Sequence, residues 1–282
     1  MTAPLLEVEN LNVTFHQDGL ATPAVRGVSF TLGRERLGIV GESGSGKSTT
    51  GRAVLGLLPA NATLEARRLA FKSEDLRRLK PRQWQRFRGR RMAMVMQDPK
   101  YSLNPVMTVG TQIAEAWRLH HGSSAAEARR RAVAMLEAVR IEDPDRVLRL
   151  YPHQLSGGMG QRVMIAAMLI AEPELLIADE AISALDVTVG NEVLGVLDRL
   201  VAERGMGLIF VSHNLTAVAG LCDRVLVMYG GRVVEQCEAG ELARARHPYT
   251  RALLAAAPSL DVAQPTLATV SRDPAWLEEG RP

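Results

Sequence analysis

"RLGIVGESGSGKSTTGRAVLGLL", residues 36–58, decides the fold. A short apolar run, Leu37–Val40, enters a glycine-rich segment, which gives way to helical spacing with Val54, Leu55 and Leu58 on one side. Pro59 predicts the end of that helix. Within the stretch, "GESGSGKST", Gly41–Thr49, fits G-x-x-x-x-G-K-[ST] at every position. Glycines at 41, 44 and 46, with Ser43 and Ser45 between them, let backbone N–H groups turn inward around phosphate oxygens. The following helix points its positive end at the same place. Lys47 supplies a charge for β- and γ-phosphates, and Ser48 offers a hydroxyl to Mg²⁺. A strand before and a helix after argue against a plain surface turn. A dinucleotide fingerprint fits worse: G-x-G-x-x-G begun at Gly44 needs glycine where Thr49 stands. No Asn is followed by Lys, so the Asn-Lys-x-Asp guanine reader of a GTPase is missing.

Outward from this core, "LLEVENLNVTF" and "VRGVSFTL" read as strands, with "QDG" as a turn between them. "MAMVM", Met92–Met96, reads as a buried strand. "SSAAEARRRAVAMLEAVR" reads as a helix capped at Ser123 or Ser124, with Ala128, Ala132, Met135, Leu136 and Val139 on its apolar face. "ELLIAD" and "GLIFVS" are continuous apolar runs of strand length, as strands buried on both faces of a parallel sheet require. "RVLVMY", "GG" and "RVVEQ" read as strand, turn and strand. Alternating strands and helices predict an α/β core. The interval from about 98 to 165 is mostly helical and reads as an inserted lobe, and residues 259–282 as an extended tail.

The other informative stretch is "YPHQLSGGMGQRVMIAAMLIAEPELLIADEAISALD", residues 151–186. Ser156 is placed to cap a helix, and Gly157 and Gly158 expose N–H groups at its positive end, a second anion cradle. Asp179 and Glu180 end a buried strand. Asp179 is placed to hold Mg²⁺. Glu180 points elsewhere, because side chains alternate along a strand, and is placed to act on an attacking water. One nucleotide does not need two cradles from one chain. A head-to-tail pair, each chain closing its partner's site, explains both.

Taken together these segments resemble the ATP-binding cassette (ABC) transporter ATPases, over about residues 5–260. "GESGSGKST" is similar to the Walker A loop and "MVMQDP" to the segment carrying the Q-loop glutamine, Gln97. "LSGGMGQ" is similar to the signature, with Leu155, Ser156, Gly157 and Gly158. "LLIADE" matches Walker B. "SALD" matches the D-loop, Ser183, Ala184, Leu185 and Asp186. "FVSHN" matches the segment carrying the switch histidine, His213. The resemblance implies a RecA-like core with a mainly parallel sheet, an N-terminal antiparallel β subdomain and an inserted α-helical subdomain, within one ATPase domain over residues 1–258. It implies that Phe15 stacks on adenine, and that Lys47, Ser48, Gln97 and Asp179 surround the phosphates and Mg²⁺. Glu180 would act on water and His213 on the γ-phosphate. Ser156 and Gly158 would reach the γ-phosphate held by a partner chain, and Gln97 would link the site to membrane subunits.

"QDPKYSLNPVMTVGTQI", "YPHQLSGGM", "ALDVTV" and "HPYTRALL" resemble the peptide and nickel importer branch. That branch implies a second ABC ATPase, two membrane permeases, a solute-binding protein engaged indirectly, and a place on the cytoplasmic face of the bacterial inner membrane. The alternatives are a non-transport ABC ATPase acting on nucleic acid or the ribosome, and an exporter ATPase. One P-loop, no sustained heptads and the importer-like C-terminal segment disfavour them. Several residues depart from the branch: Gly160 replaces a long polar residue, Ala181 a proline, Asn214 an aspartate and Gly190 a glutamine. Glu35 and Arg36 stand where Gly-Glu is frequent.

Bulk properties agree. The chain has 282 residues, 46% hydrophobic and 23% charged, with a net charge of +3, too weakly basic to indicate nucleic acid. The basic run at 77–91 reads as a solvated face, or as a surface near lipid headgroups. Two cysteines, Cys222 and Cys237, make neither a metal-ligand spacing nor a disulfide framework. The iron–sulfur centre of many relatives is therefore not expected. The most apolar helical segment, Val163–Ala171, is far short of the ~20 residues needed to span a bilayer.

Overall fold

The computed structural model describes residues 3–256 and 273–277; of the C-terminal stretch, 257–272 and 278–282 lie outside the described residues. In chain order the elements are β1 (Leu6–Gln17), β2 (Leu20–Leu32), β3 (Arg36–Val40), α1 (Lys47–Val54), β4 (Ala62–Glu65), β5 (Arg68–Phe71) and β6 (Glu74–Asp75). Then come α2 (Pro81–Trp84), β7 (Met92–Val95), α3 (Pro99–Ser102), α4 (Val109–His121), α5 (Ala125–Ala138), α6 (Pro144–Val147) and α7 (Gly157–Leu169). The remainder is β8 (Leu175–Asp179), α8 (Val187–Arg204), β9 (Gly207–Val211), α9 (Leu215–Leu221), β10 (Arg224–Tyr229), β11 (Arg232–Glu238) and α10 (Pro248–Ala256). The chain divides into two units, one of Met1–Arg78 with Ile209–Pro282 and one of Leu79–Leu208.

The first unit carries an antiparallel sheet in the order β2-β1-β5-β6, with β4 also on β1. Along β1 the buried residues are Leu6 and Val8, then Leu11 and Val13, a change from even to odd positions. A strand of strict period two would turn one of these pairs to solvent. A bulge between Val8 and Leu11, where Asn10 takes a left-handed φ of 51°, corrects the phase. Ser29 Oγ accepts the Asn10 N–H at this irregularity. At the sheet's far end Arg77 forks onto Asp75 and reaches the carbonyls of Ala66 and Arg67. Hydrogen bonding from Arg77 holds the Asp75 carboxyl down to about 2.

In the same unit β3 runs parallel to β10, and β10 antiparallel to β11. Ser212, just past β9, donates its N–H to Ile39 O on the other side of β3. Leu37 to Val40 are wholly buried, as a strand covered on both faces must be. Helix α1 is shorter than the sequence predicts and ends at Val54, ahead of Leu58 and Pro59. Gly56 takes φ 61°, Gly56 N–H donates to Ala53 O, and Leu57 N–H donates to Arg52 O. This is a Schellman closure, and the glycine rather than the proline stops the helix.

In the second unit β7 and β8 pair in parallel and are buried along their whole lengths. Between them in the chain come α3 to α7. Ser124, one of the two expected caps, accepts the Glu127 N–H, and Ala128, Ala132, Met135 and Leu136 are the buried stripe of α5. The arginines of the basic run are not a uniformly solvated face. Arg88 lies 4.8 Å over the Trp84 ring, and Arg91 lies 4.9 Å over Phe87 while pairing with Glu174.

Candidate nucleotide-binding site

The phosphate-loop candidate follows β3 in the first unit. Gly41 has φ 150°, and a Cβ there would stand 2.2 Å from Met228 O. Gly46 has φ 99°, and its Cβ would stand 2.5 Å from Ala24 O. At both positions a side chain would collide with backbone, so the loop can lie against β2 and β10 only with glycine there. Gly44, also left-handed at φ 82°, and Ser43 are on the exposed crest. Gly46 precedes α1 and has no side chain with which to cap it. The loop is therefore close-fitting below and open above, with a helix start facing the opening.

Lys47 is buried, and its Nζ donates to Gly41 O and Glu42 O at 2.8 Å each. The ammonium is thus pinned to the rim of its own loop. Ser45 Oγ is buried with no hydrogen-bond partner among the described residues, an orphan hydroxyl in the cradle floor. A cradle that excludes Cβ atoms, a buried cation and an unsatisfied hydroxyl suit a polyphosphate. Two more candidates lie in this unit. Phe15, on β1 between Thr22 and Ala62, is half-buried rather than part of the core. His213 is exposed just past β9, and Asn214 caps α9 by accepting the Ala217 N–H, as the aspartate it replaces could.

The second unit holds the remaining candidates. Gln97 is exposed two residues past β7, ahead of Asp98, which caps α3 at Lys100 N–H. Ser156 caps α7 by accepting the Met159 N–H, with Gly157 exposed beside it and Leu155 half-buried. A Cβ on Gly158 would meet Val189 Cγ1 at 2.5 Å, and one on Gly157 would touch Leu185 Cδ2 at 3.6 Å. The signature glycines thus let the start of α7 pack against the D-loop and the start of α8. Asp186 closes the D-loop by capping α8 at Val189 N–H, while Ser183 and Ala184 are exposed. Gly160 is buried on Pro99, where a Cβ would stand 3.4 Å from the ring, at the near edge of ordinary contact. A Cβ on Gly190 would meet Ile182 at 3.8 Å, an ordinary contact, so packing does not demand glycine there, and α8 runs through it unbroken.

Asp179 ends β8 and is buried; Glu180 follows, half-exposed, with a left-handed φ of 51°. Such a conformation costs a non-glycine residue roughly 1–2 kcal/mol. The turn is held by the Ser183 N–H and hydroxyl, both donating to Glu180 O, and by Gln161, whose Nε2 donates to Ala181 O. The groups expected for Mg²⁺, a hydroxyl, a carboxylate and a glutamine amide oxygen, are all oxygen donors, the kind that a hard cation takes.

Two contributors escaped the sequence reading. Gln161 ends the quoted "LSGGMGQ", five residues past the signature serine, and carries a helix-to-turn tether for which the resemblance supplied no role. Tyr249, in the segment "HPYTRALL", accepts the Glu42 N–H at 2.8 Å. Its signal was present as a resemblance in sequence, without a role.

Residues 25–183 match the family described as "ABC transporter". The chain is 49% identical over 257 residues to a "Probable peptide ABC transporter ATP-binding protein" of Sinorhizobium fredii, covering 90% of this chain and 77% of that one. It is 48% identical over 264 residues to the glutathione import ATP-binding protein GsiA of Escherichia coli (strain K12), covering 91% of this chain but 42% of GsiA. Among solved structures, the dimeric post-hydrolysis form of the ATP-binding cassette MJ0796 bound to ADP and Pi superposes with a TM-score of 0.74 at 26% identity. That match covers 83% of this chain and 98% of the other. Motifs, fold and relatives agree that this chain belongs to the ABC transporter family and is an ATP-hydrolysing member of it.

Proposed function

We propose that the chain is the energising subunit of a bacterial ABC importer, coupling ATP binding and hydrolysis to uptake of di- or oligopeptides or of nickel-like small solutes. The observation that carries this reading is the 49% identity, over nearly the whole chain, to a protein named for peptide transport. The likeness to a glutathione importer supports it, since glutathione is itself a small peptide. No observation favours the nucleic-acid or ribosome alternative.

In this reading Lys47 and the loop N–H groups bind the phosphates, and Phe15 stacks on the base. Ser48 and Asp179, with Gln97, would hold Mg²⁺, which when bound would supply positive charge to offset that on the β- and γ-oxygens. Glu180 orients water and takes its proton, and His213 hydrogen-bonds the γ-phosphate. The strained, tethered turn fixes the backbone from which the Glu180 carboxylate projects, which is how positioning lowers a barrier. Ser156 and Gly158 offer the start of α7 to nucleotide on a second ATPase subunit, a copy or a sister chain. Gln97 and the exposed residues after it face two permease subunits on the cytoplasmic side of the membrane, and a solute-binding protein feeds those permeases. Among the described residues no helix is long and apolar enough to cross a membrane, as a peripheral subunit requires.

The test is ATP-dependent uptake in vesicles holding this chain with its permeases and binding protein. Labelled peptide should accumulate with the wild type and fail to accumulate with Lys47→Ala. ATP hydrolysis that ignores peptide and binding protein, with no uptake, would refute the transport role.

A further inference from the structure

Tyr249 does more than fill the core. It is wholly buried at the start of α10, and its hydroxyl accepts the N–H of Glu42, the second residue of the phosphate loop, 207 positions earlier. Its ring packs on Tyr229 at 4.4 Å and Trp276 at 5.5 Å between centroids, and Tyr229 lies 5.5 Å from Trp276. Three aromatic rings in mutual contact fix one another's rotamers. Hydrogen bonds anchor the cluster as well. Tyr249 N–H donates to His247 Nδ1, so His247 carries its proton on Nε2 and donates it to Trp276 O, 3.1 Å away. Tyr229 OH donates to Asp273 O. A short 3-10 turn, residues 274–277, thereby lies against the end of β10, where Leu277 comes up to Gly230.

That end of β10 also supports the loop directly. Met228 O closes over Gly41, and Gly231 N–H donates to Ser45 O. The loop is therefore gripped at Gly41, Glu42 and Ser45 by one structure, made of β10, Tyr249 and the turn around Trp276. Glu42 N–H points away from the cradle to Tyr249, which sets the direction from which the following N–H groups and Lys47 are presented.

We propose that Tyr249 is a positioning residue for the phosphate loop, and that the segment around Trp276 buttresses it, so that the C-terminal turn helps to set affinity for ATP. This rests on the assignment of Gly41–Thr49 as the nucleotide site. Tyr249→Phe keeps the ring and removes only the hydroxyl. The probe is equilibrium titration of the full-length chain with a fluorescent N-methylanthraniloyl ATP, reading both the dissociation constant and the number of sites per chain.

Tyr249→Phe should raise the dissociation constant about tenfold, the order expected for one lost hydrogen bond in a partly buried position, with the number of sites unchanged. Trp276→Ala, remote from the phosphates and a check against simple misfolding, should raise it by about threefold, again with the site number kept. A merely structural role would do the reverse, lowering the number of competent sites at constant affinity, and that result would overturn the proposal. Wild-type affinity in Tyr249→Phe would overturn it too. If instead Lys47→Ala binds the probe as well as the wild type, the loop is not the nucleotide site, and the inference falls with that assignment.

Discussion

The phosphate loop and the Walker B turn pose the same structural problem and solve it differently. Each follows a parallel strand, β3 buried from Leu37 to Val40 and β8 buried throughout, and each must present polar groups at the strand's end. The loop is built from glycines at φ 150°, 82° and 99°, and backbone atoms of β2 and β10 press into the space that Cβ atoms would take. The Walker B turn has no glycine. Glu180 itself takes the left-handed conformation, and Ser183, Gln161 and Asp186 hold the residues around it. A cradle for an anion needs many N–H groups turned inward, which only unencumbered backbone can do. A carboxylate that is to act on one water needs its backbone fixed, and the side chains of Ser183 and Gln161 do that by holding the carbonyls of Glu180 and Ala181.

Substitutions should break the two regions in different ways. The largest effect belongs to the loop's charge. Lys47→Ala should cut ATP hydrolysis by at least about a hundredfold and weaken ATP binding, because a buried ammonium is replaced by nothing of like charge. Hydrolysis assays with calorimetric titration check both. Gly46→Ala should follow, losing most nucleotide affinity and about 1–3 kcal/mol of stability in urea melts, since its Cβ has no room at φ 99°. On the other side of the comparison, Asp186→Ala removes only a cap and should cost about 1 kcal/mol of stability. ATP affinity measured at the loop should stay within about twofold, a margin below one hydrogen bond. Should Asp186→Ala weaken binding as strongly as Gly46→Ala, the contrast between a backbone-built and a side-chain-built site is lost.

The smallest expected effect is chemical. Burial pushes the Cys222 thiol up to about 12, and Cys222 lies under Gly38 of β3, whose Cβ would stand 3.2 Å from its sulfur. At pH 8 a thiol reagent should modify the less buried Cys237 first and reach Cys222 only on unfolding. Mass spectrometry of partly alkylated protein reads the order.

The sequence carried the local geometry of this site further than its scaffolding. The glycine loop, the paired acids and the serine cap of α7 were legible because each is a local pattern with a local physical cause. The end of α1 was misplaced because proline is the louder signal, although Gly56 was in plain view as a left-handed terminator. The bulge at Asn10 was visible only as a change of phase along β1, which a reader who counts apolar residues without numbering them overlooks. Tyr249 and Gln161 were not legible as supports at all. Their partners lie 207 and 20 residues away, and such bonds depend on how the chain returns on itself, which spacing does not encode. In the basic run Arg78, Arg82, Arg86 and Arg90 are exposed as a solvated face requires, but Arg88 and Arg91 find aromatic partners that a count of charges does not reveal.

The most direct test of the account is the behaviour of Glu180→Gln in the assembled transporter, with ATP affinity and ATP turnover measured on the same preparation. Keeping the shape but removing the basic oxygen should leave affinity within about threefold while turnover falls by about a hundredfold or more. Turnover equal to the wild type would contradict the assignment of Glu180 to the attacking water, and with it the division of labour between the loop and the turn.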